Sequence, residues 1–216
     1  VFHLNLKFKM LFPTLCVDNF FTEPNKIISF SKTLKYNSDP FNIWPGTRTE
    51  NLINIDKFFV EHFGNKVLSL LYPIEYKNIN FELNLNFQKI SYKNKKEGWV
   101  HKDNPMELTA IVYLSKHKEC GTKLFEYNGI TPILKHQENK QLKNENELKE
   151  NNINFNETIH FKSKFNRLIL FDSSQWHSAN KYSEENIKED RLILIGFFKT
   201  IFSPFIKYPC VENKRL

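Results

Sequence analysis

No apolar run in this 216-residue sequence approaches the roughly 20 residues of a membrane span, so no helical anchor is expected. Cysteine is nearly absent. Cys16, Cys120 and Cys210 lie far apart and form no disulfide framework, which points to a reducing compartment, the cytoplasm. Arginine is also scarce: of 31 basic residues only Arg48, Arg167, Arg191 and Arg215 are Arg. Lysine is the default cation here, so each Arg marks a place where a planar donor fork matters. Residues 135–157 nearly lack large apolar side chains and are rich in Asn, Glu and Lys. They read as a flexible insertion. No internal repeat is visible.

Core-forming material is ample. Aromatics make up 15% of the chain, including 21 Phe, which suits one domain over 1–216. Net charge is +7, with Lys89, Lys93, Lys95, Lys96 and Lys102 against Glu97 forming a local excess. Such a patch attracts acidic partners or nucleic acid, but a solvated lysine face is the favoured reading.

The first dozen residues alternate Phe2, Leu4, Leu6, Phe8, Met10 and Phe12 with polar neighbours, a strand pattern rather than a signal peptide. A helix is expected after Thr22, with Pro24 in its first turn. Trp44-Pro45-Gly46-Thr47-Arg48 reads as a type II turn. A second helix is expected over 54–71, with Ile55, Phe58, Phe59, Phe63, Val67, Leu70 and Leu71 as its core stripe. From Ile79 the period falls to two, and strands are expected at 81–92, 109–114, 123–127, 158–161, 168–171 and 192–198. Helical support over 1–78, a strand-rich core over 79–200 and a tail at 201–216 suggest an antiparallel barrel or jelly roll with N-terminal helices packed on it.

The chemistry concentrates in Gly98–Pro105. His101 and Asp103 are two apart, and in extended chain they share a face and can grip one metal ion. His117/Glu119 and His136/Glu138 repeat the His-x-acid spacing. His136 lies in the polar insertion, and His117 among charges that suit a solvated turn. Only His101 sits between strand-like runs, with a second strand-then-histidine unit ending at His177, 74 residues after Asp103. Two histidines and one carboxylate with open positions opposite them form the facial triad of non-haem Fe(II) enzymes.

Further motifs follow in order. Tyr92 and Gly98-Trp99-Val100 precede the His-x-Asp pair. Thr109-Ala110-Ile111-Val112-Tyr113-Leu114, Gly121-Thr122, Phe165–Phe171, His177 and Arg191 come after it. With these, Phe81–Phe198 resembles the Fe(II)/2-oxoglutarate-dependent oxygenases, in their prolyl-hydroxylase-like branch. The Trp-Pro-Gly-Thr-Arg turn is similar to that of uncharacterised bacterial and phage members.

The resemblance implies a double-stranded β-helix and metal ligands His101, Asp103 and His177. It implies Arg191 as the partner of the distal carboxylate of 2-oxoglutarate, supported by Tyr113 and, across a one-residue gap, Tyr92. Fe(II), 2-oxoglutarate and O2 would be the cofactor, cosubstrate and oxidant. Tyr113 reads equally as a cross-strand aromatic, and Arg167 as structural. Trp176, Arg48 and Trp99 are candidates for the substrate pocket, with core or turn roles as the alternatives.

Two departures from the family pattern stand out. Ile195 and Phe197 occupy the face where the strand after Arg191 often carries Thr, Ser or a large aromatic. Phe197 also replaces the second arginine of nucleic-acid demethylases. The implied activity is hydroxylation of a C–H bond on a protein, peptide or small molecule. A non-catalytic binding module on the same barrel and a nucleic-acid demethylase stay open, nucleic acid being the less favoured partner.

Overall fold

The computed structural model describes residues 11–41, 44–129, 145–203 and 208–209. The alternating N-terminal segment before Leu11 lies outside them, as do 135–144 of the charged insertion.

Two helices form where the sequence expects them. α1 spans Pro24–Lys32 with Pro24 in its first turn, where a missing N–H costs nothing. α2 spans Lys57–Ser69, and the Asp56 side chain caps it by accepting from the Phe59 N–H at 2.9 Å. Its buried face is Val60, Phe63, Gly64, Val67 and Leu68. The expected stripe is therefore rotated: Phe58 is 83% exposed, and Ile55 and Leu70 face solvent too. A short 3-10 turn over Leu52–Asn54 ends before Ile55, and α2 starts only at Lys57, so a count from Ile55 sets the wrong phase.

The described residues form ten strands: β1 Leu15–Val17, β2 Tyr36–Ser38, β3 Thr47–Thr49, β4 Asn80–Ile90, β5 Leu108–Tyr113, β6 Thr122–Tyr127, β7 Phe155–Phe161, β8 Leu168–Asp172, β9 Trp176–Ala179 and β10 Arg191–Phe202. All pairings are antiparallel. The larger sheet runs β1-β8-β5-β10-β4-β3-β2 and the smaller one β7-β6-β9.

Alternation divides each central strand between two cores. Leu83, Leu85, Phe87, Leu108, Ala110, Val112, Leu192 and Leu194 point to the helix side, where Val60, Phe63 and Val67 meet them. Ile111, Tyr113, Ile169, Phe171, Ile193 and Ile195 point the other way and pack with Leu124 of the smaller sheet. Burial on both faces makes β5 and β8 read as largely apolar runs, with Thr109 and Asp172 as their polar positions. Residues placed between these two sheets form the wall of a barrel mouth.

The insertion is structured where it is described. α3 spans Glu145–Asn152 and β7 begins at Phe155. Asn151 and Asn154 are buried although the segment is polar. Their amides bond to backbone, which a composition count does not register. β10 also runs two residues into the stretch read as a tail. No helix among the described residues is long and apolar enough to cross a membrane.

Gly121, where β6 begins, is dictated by space. A Cβ there would lie 1.8 Å from the Phe161 carbonyl oxygen on the paired strand. Gly121→Ala is expected to cost about 3 kcal/mol, read in a melting experiment as a Tm lowered by roughly 6–12 °C.

Candidate functional site

The backbone that carries His101 is tied down before the side chain appears. Gly98 N–H donates to Ala179 O at 2.9 Å, and Tyr182 N–H to Lys96 O at 3.1 Å. His101 then forms a reciprocal bridge with His177 of β9, through N–H···O bonds of 3.0 and 2.9 Å. Asp103 N–H donates to Ser173 O at 2.9 Å. From the far side α3 grips the same strand. Val100 N–H donates to the Asn152 side chain at 3.0 Å, Asn151 donates to Val100 O at 3.1 Å, and Asn152 donates to Gly98 O at 3.0 Å.

The expected triad converges. His177 Nε2 lies 3.1 Å from Asp103 Oδ2, and His101 Nε2 lies 3.5 Å from Asp103 Oδ1. One ligand atom from each residue falls within 4.8 Å of the others. Each imidazole is fixed through Nδ1. His101 Nδ1–H donates to Trp99 O at 2.7 Å and His177 Nδ1–H to Gln175 O at 2.9 Å. That aims both Nε2 atoms at the carboxylate, the usual orientation of a metal-binding histidine.

Thr109 Oγ1, held by Ser173 Oγ at 2.7 Å, donates to Asp103 Oδ2 at 3.0 Å. Burial alone would push the Asp103 carboxyl up, but His177 and His101 beside it hold it well below the usual range. Two imidazoles and an ionised carboxylate around one point are the donor set of a divalent transition metal, and these residues fit one.

Arg191 opens β10 and is only 4% exposed. Burial lowers its pKa. Its Nε donates to Cys120 O at 3.1 Å, and its guanidinium carbon sits 5.9 Å from the Tyr113 ring centroid. Among the described residues no carboxylate forms an ion pair with it. Asp190, its neighbour in sequence, instead accepts from the Tyr92 N–H at 3.1 Å. Tyr113 is buried, its phenol pushed up to about 12 by that burial, and bonds Thr122 Oγ1 at 2.8 Å. Thr122 lines the cleft. Its hydroxyl reaches the cleft from β6, and the short Gly-Thr motif is its only sequence signal.

A cleft of about 150 Å³ opens over these groups. Arg48 and Trp99 line it, as expected of pocket residues. Two expected residues do not. Tyr92 sits on the turn after β4, held by its backbone to Asp190. Tyr182 lines the cleft, 8% exposed, and burial pushes its phenol up to about 12. Tyr182 stands alone in a polar loop with no periodic neighbours, so no pattern marks it. Trp176 turns away because it precedes His177 on a strand, where neighbours face opposite sides. It packs on Phe155 at 4.8 Å under the Lys102 ammonium at 4.6 Å.

Other residues resolve as structural. Arg167 forks onto Asp18, tying β8 to the chain just after β1. His117, expected in a solvated turn, is 1% exposed and bonds Glu189 O at 2.8 Å through Nε2. Glu184 caps the Lys118 and Glu119 N–H groups. Together they shape the loop that presents Cys120 O to Arg191. Three lysines of the basic patch have internal partners: Lys89 over Tyr36, Lys95 on Glu184 O and Lys102 over Trp176.

Residues 9–193 match a family of unknown function, DUF6445. The chain belongs to this family. No curated protein sequence matches it.

Solved structures match at the level of fold. HygX from Streptomyces hygroscopicus, with nickel and 2-oxoglutarate bound, is 14% identical with a TM-score of 0.56, over 90% of this chain and 84% of HygX. The α-ketoglutarate-dependent epimerase SnoN of nogalamycin biosynthesis is 12% identical with a TM-score of 0.55, over 94% and 91%. A Pseudomonas putida prolyl-4-hydroxylase is 12% identical with a TM-score of 0.53, over 86% and 91%. The fold is the double-stranded β-helix of the 2-oxoglutarate/Fe(II) oxygenases.

Proposed function

We propose that the protein is an Fe(II)- and 2-oxoglutarate-dependent dioxygenase that hydroxylates a C–H bond of a small-molecule, peptide or protein substrate. One observation carries the reading: His101, Asp103 and His177 converge in a cleft that also holds Arg191, a buried cation with no carboxylate partner among the described residues. The fold it shares with HygX and SnoN adds support.

When bound, iron and its cosubstrate supply the oxidation: O2 and 2-oxoglutarate give succinate and CO2, and one oxygen atom goes to the substrate. The chain's own residues hold and orient. His101 and His177 would hold the ion through Nε2 and Asp103 through one carboxylate oxygen. Thr109, Trp99 O and Gln175 O fix those three side chains. Such outer partners are commonly worth 10–100-fold in metal affinity.

Arg191 would take the distal carboxylate of the cosubstrate with two parallel charge-assisted bonds, and the Thr122 hydroxyl stands beside it. Ile111, Ile193 and Ile195 line the cleft between these groups. An apolar wall there keeps water from competing for the fork.

The test is 2-oxoglutarate consumption by Fe(II)-loaded protein in air. Slow succinate release without added substrate is expected, lost in Asp103→Ala. Absence of both turnover and measurable 2-oxoglutarate binding to the Mn(II)-substituted wild type would sink the reading.

A further inference from the structure

We infer that Arg48, the second arginine of the cleft, binds an oxyanion on the substrate, so that the substrate is a small carboxylate- or phosphate-bearing molecule with a flat apolar body. The inference rests on the proposed function and specifies its substrate class.

Placement comes first. Gly46 holds φ +74°, and a Cβ there would approach Lys89 O to 2.2 Å, so the turn lies flat against β4. β3 then pairs Arg48 with Gln88, and Gln88 in turn pairs with Ile193. That register puts Arg48 on the cleft face of the sheet, across from the triad.

The guanidinium is held but not neutralised. Its carbon stacks 4.5 Å from the Trp44 ring centroid and 5.7 Å from that of Phe197. Nη2 donates to Gln88 Oε1 at a long 3.3 Å, while Nε is buried with no acceptor. Among the described residues no carboxylate is within ion-pair distance. Burial lowers its pKa to about 10, with Asp103 and Asp39 acting the other way, so the charge persists at neutral pH. The indole N–H groups of Trp44 and Trp99, which line the same cleft, are also buried without acceptors. Unsatisfied buried donors and an uncompensated cation are costly in an empty cleft, and an anion offsets both.

Charge balance assigns that anion to the substrate. In the loaded site the ion, Asp103, the doubly charged cosubstrate and Arg191 sum to zero. Arg48 then remains as one positive charge facing the space left for substrate. Trp44, Trp99 and Phe197 are planar walls around it, and the cleft volume suits a small body.

The experiment is calorimetry on Mn(II)-substituted protein saturated with 2-oxoglutarate. Phenylacetate, phenyl phosphate and neutral phenylacetamide are the probes. At least one anion should bind at least about tenfold more tightly than the amide. Whichever anion is tighter identifies carboxylate or phosphate as the source. Arg48→Gln should erase the preference for the anion, and Arg48→Lys should restore part of it.

Three results would overturn the inference: neither anion binds wild type, the amide binds as tightly as both, or Arg48→Gln costs 2-oxoglutarate as much affinity as Arg191→Ala does. The wild-type comparison of acid with amide stands even if a variant fails to fold. Should 2-oxoglutarate itself not bind, the proposed function fails, and the same titrations without cosubstrate still decide. Anion binding lost in Arg48→Gln supports the inference; anion binding lost only in Arg191→Ala overturns it.

Discussion

His177→Ala is expected to abolish turnover by losing the metal, at any concentration of cosubstrate. Two groups remain in place, His101 and Asp103, and a two-ligand site does not retain a catalytic divalent ion against water and buffer. Removing even an outer hydrogen-bond partner typically costs 10–100-fold in metal affinity, so loss of a direct ligand should exceed about 100-fold. The fold should survive. The His101–His177 bridge is made by backbone N–H and C=O groups, which alanine retains. Circular dichroism and Tm would therefore stay near wild type while Mn(II) binding, followed by electron paramagnetic resonance, disappears. His117→Ala is the contrast, since His117 belongs to the loop behind Arg191. Mn(II) affinity unchanged in His177→Ala would remove the metal assignment.

Arg191→Ala should leave the metal bound and cripple the cosubstrate site. The far carboxylate would enter a cleft walled by Ile111, Ile193 and Ile195 without its fork. Truncating one partner of a buried hydrogen-bonded charge pair costs about 2–5 kcal/mol, or roughly 30- to several-thousand-fold in affinity. Arg191→Lys should recover only part, because an ammonium offers a point charge and cannot also reach Cys120 O as Nε does. Titration of 2-oxoglutarate into the three Mn(II)-substituted proteins separates the cases. Equal binding by wild type and Arg191→Ala would assign the distal carboxylate elsewhere in the cleft. Unequal binding with equal Mn(II) affinity would show that metal and cosubstrate are held independently.

The barrel was legible because its strands bury both faces or alternate cleanly. Leu108–Tyr113 and Leu168–Asp172 are buried throughout and mostly apolar, and Leu83, Leu85 and Phe87 mark one face of β4. The triad was legible because an extended segment puts His101 and Asp103 on one side, and His177 follows the strand β8. β2 and β9, at three and four residues, carry too little pattern to be seen. Tyr182 and Thr122 carry no pattern because their place in the cleft depends on tertiary placement, while Tyr92 was implied only by the family resemblance, across a one-residue gap. The phase of α2 was lost through one misjudged helix start. The polar segment containing α3 was misjudged for a different reason. Its hold on the structure is made of amide side chains bonding backbone, which apolar counting ignores.

That hold limits how separable the parts of this protein are. Asn151 and Asn152 make three bonds to the main chain at Gly98 and Val100, directly ahead of His101. The segment looks like a removable cassette in the sequence, yet it works as a brace for the strand that presents the first histidine. A trimmed barrel lacking 145–154 would keep every residue of the triad and lose the rail on which one of them is mounted. Transplanting the site onto another double-stranded β-helix would therefore mean moving two asparagines that touch neither metal nor cosubstrate.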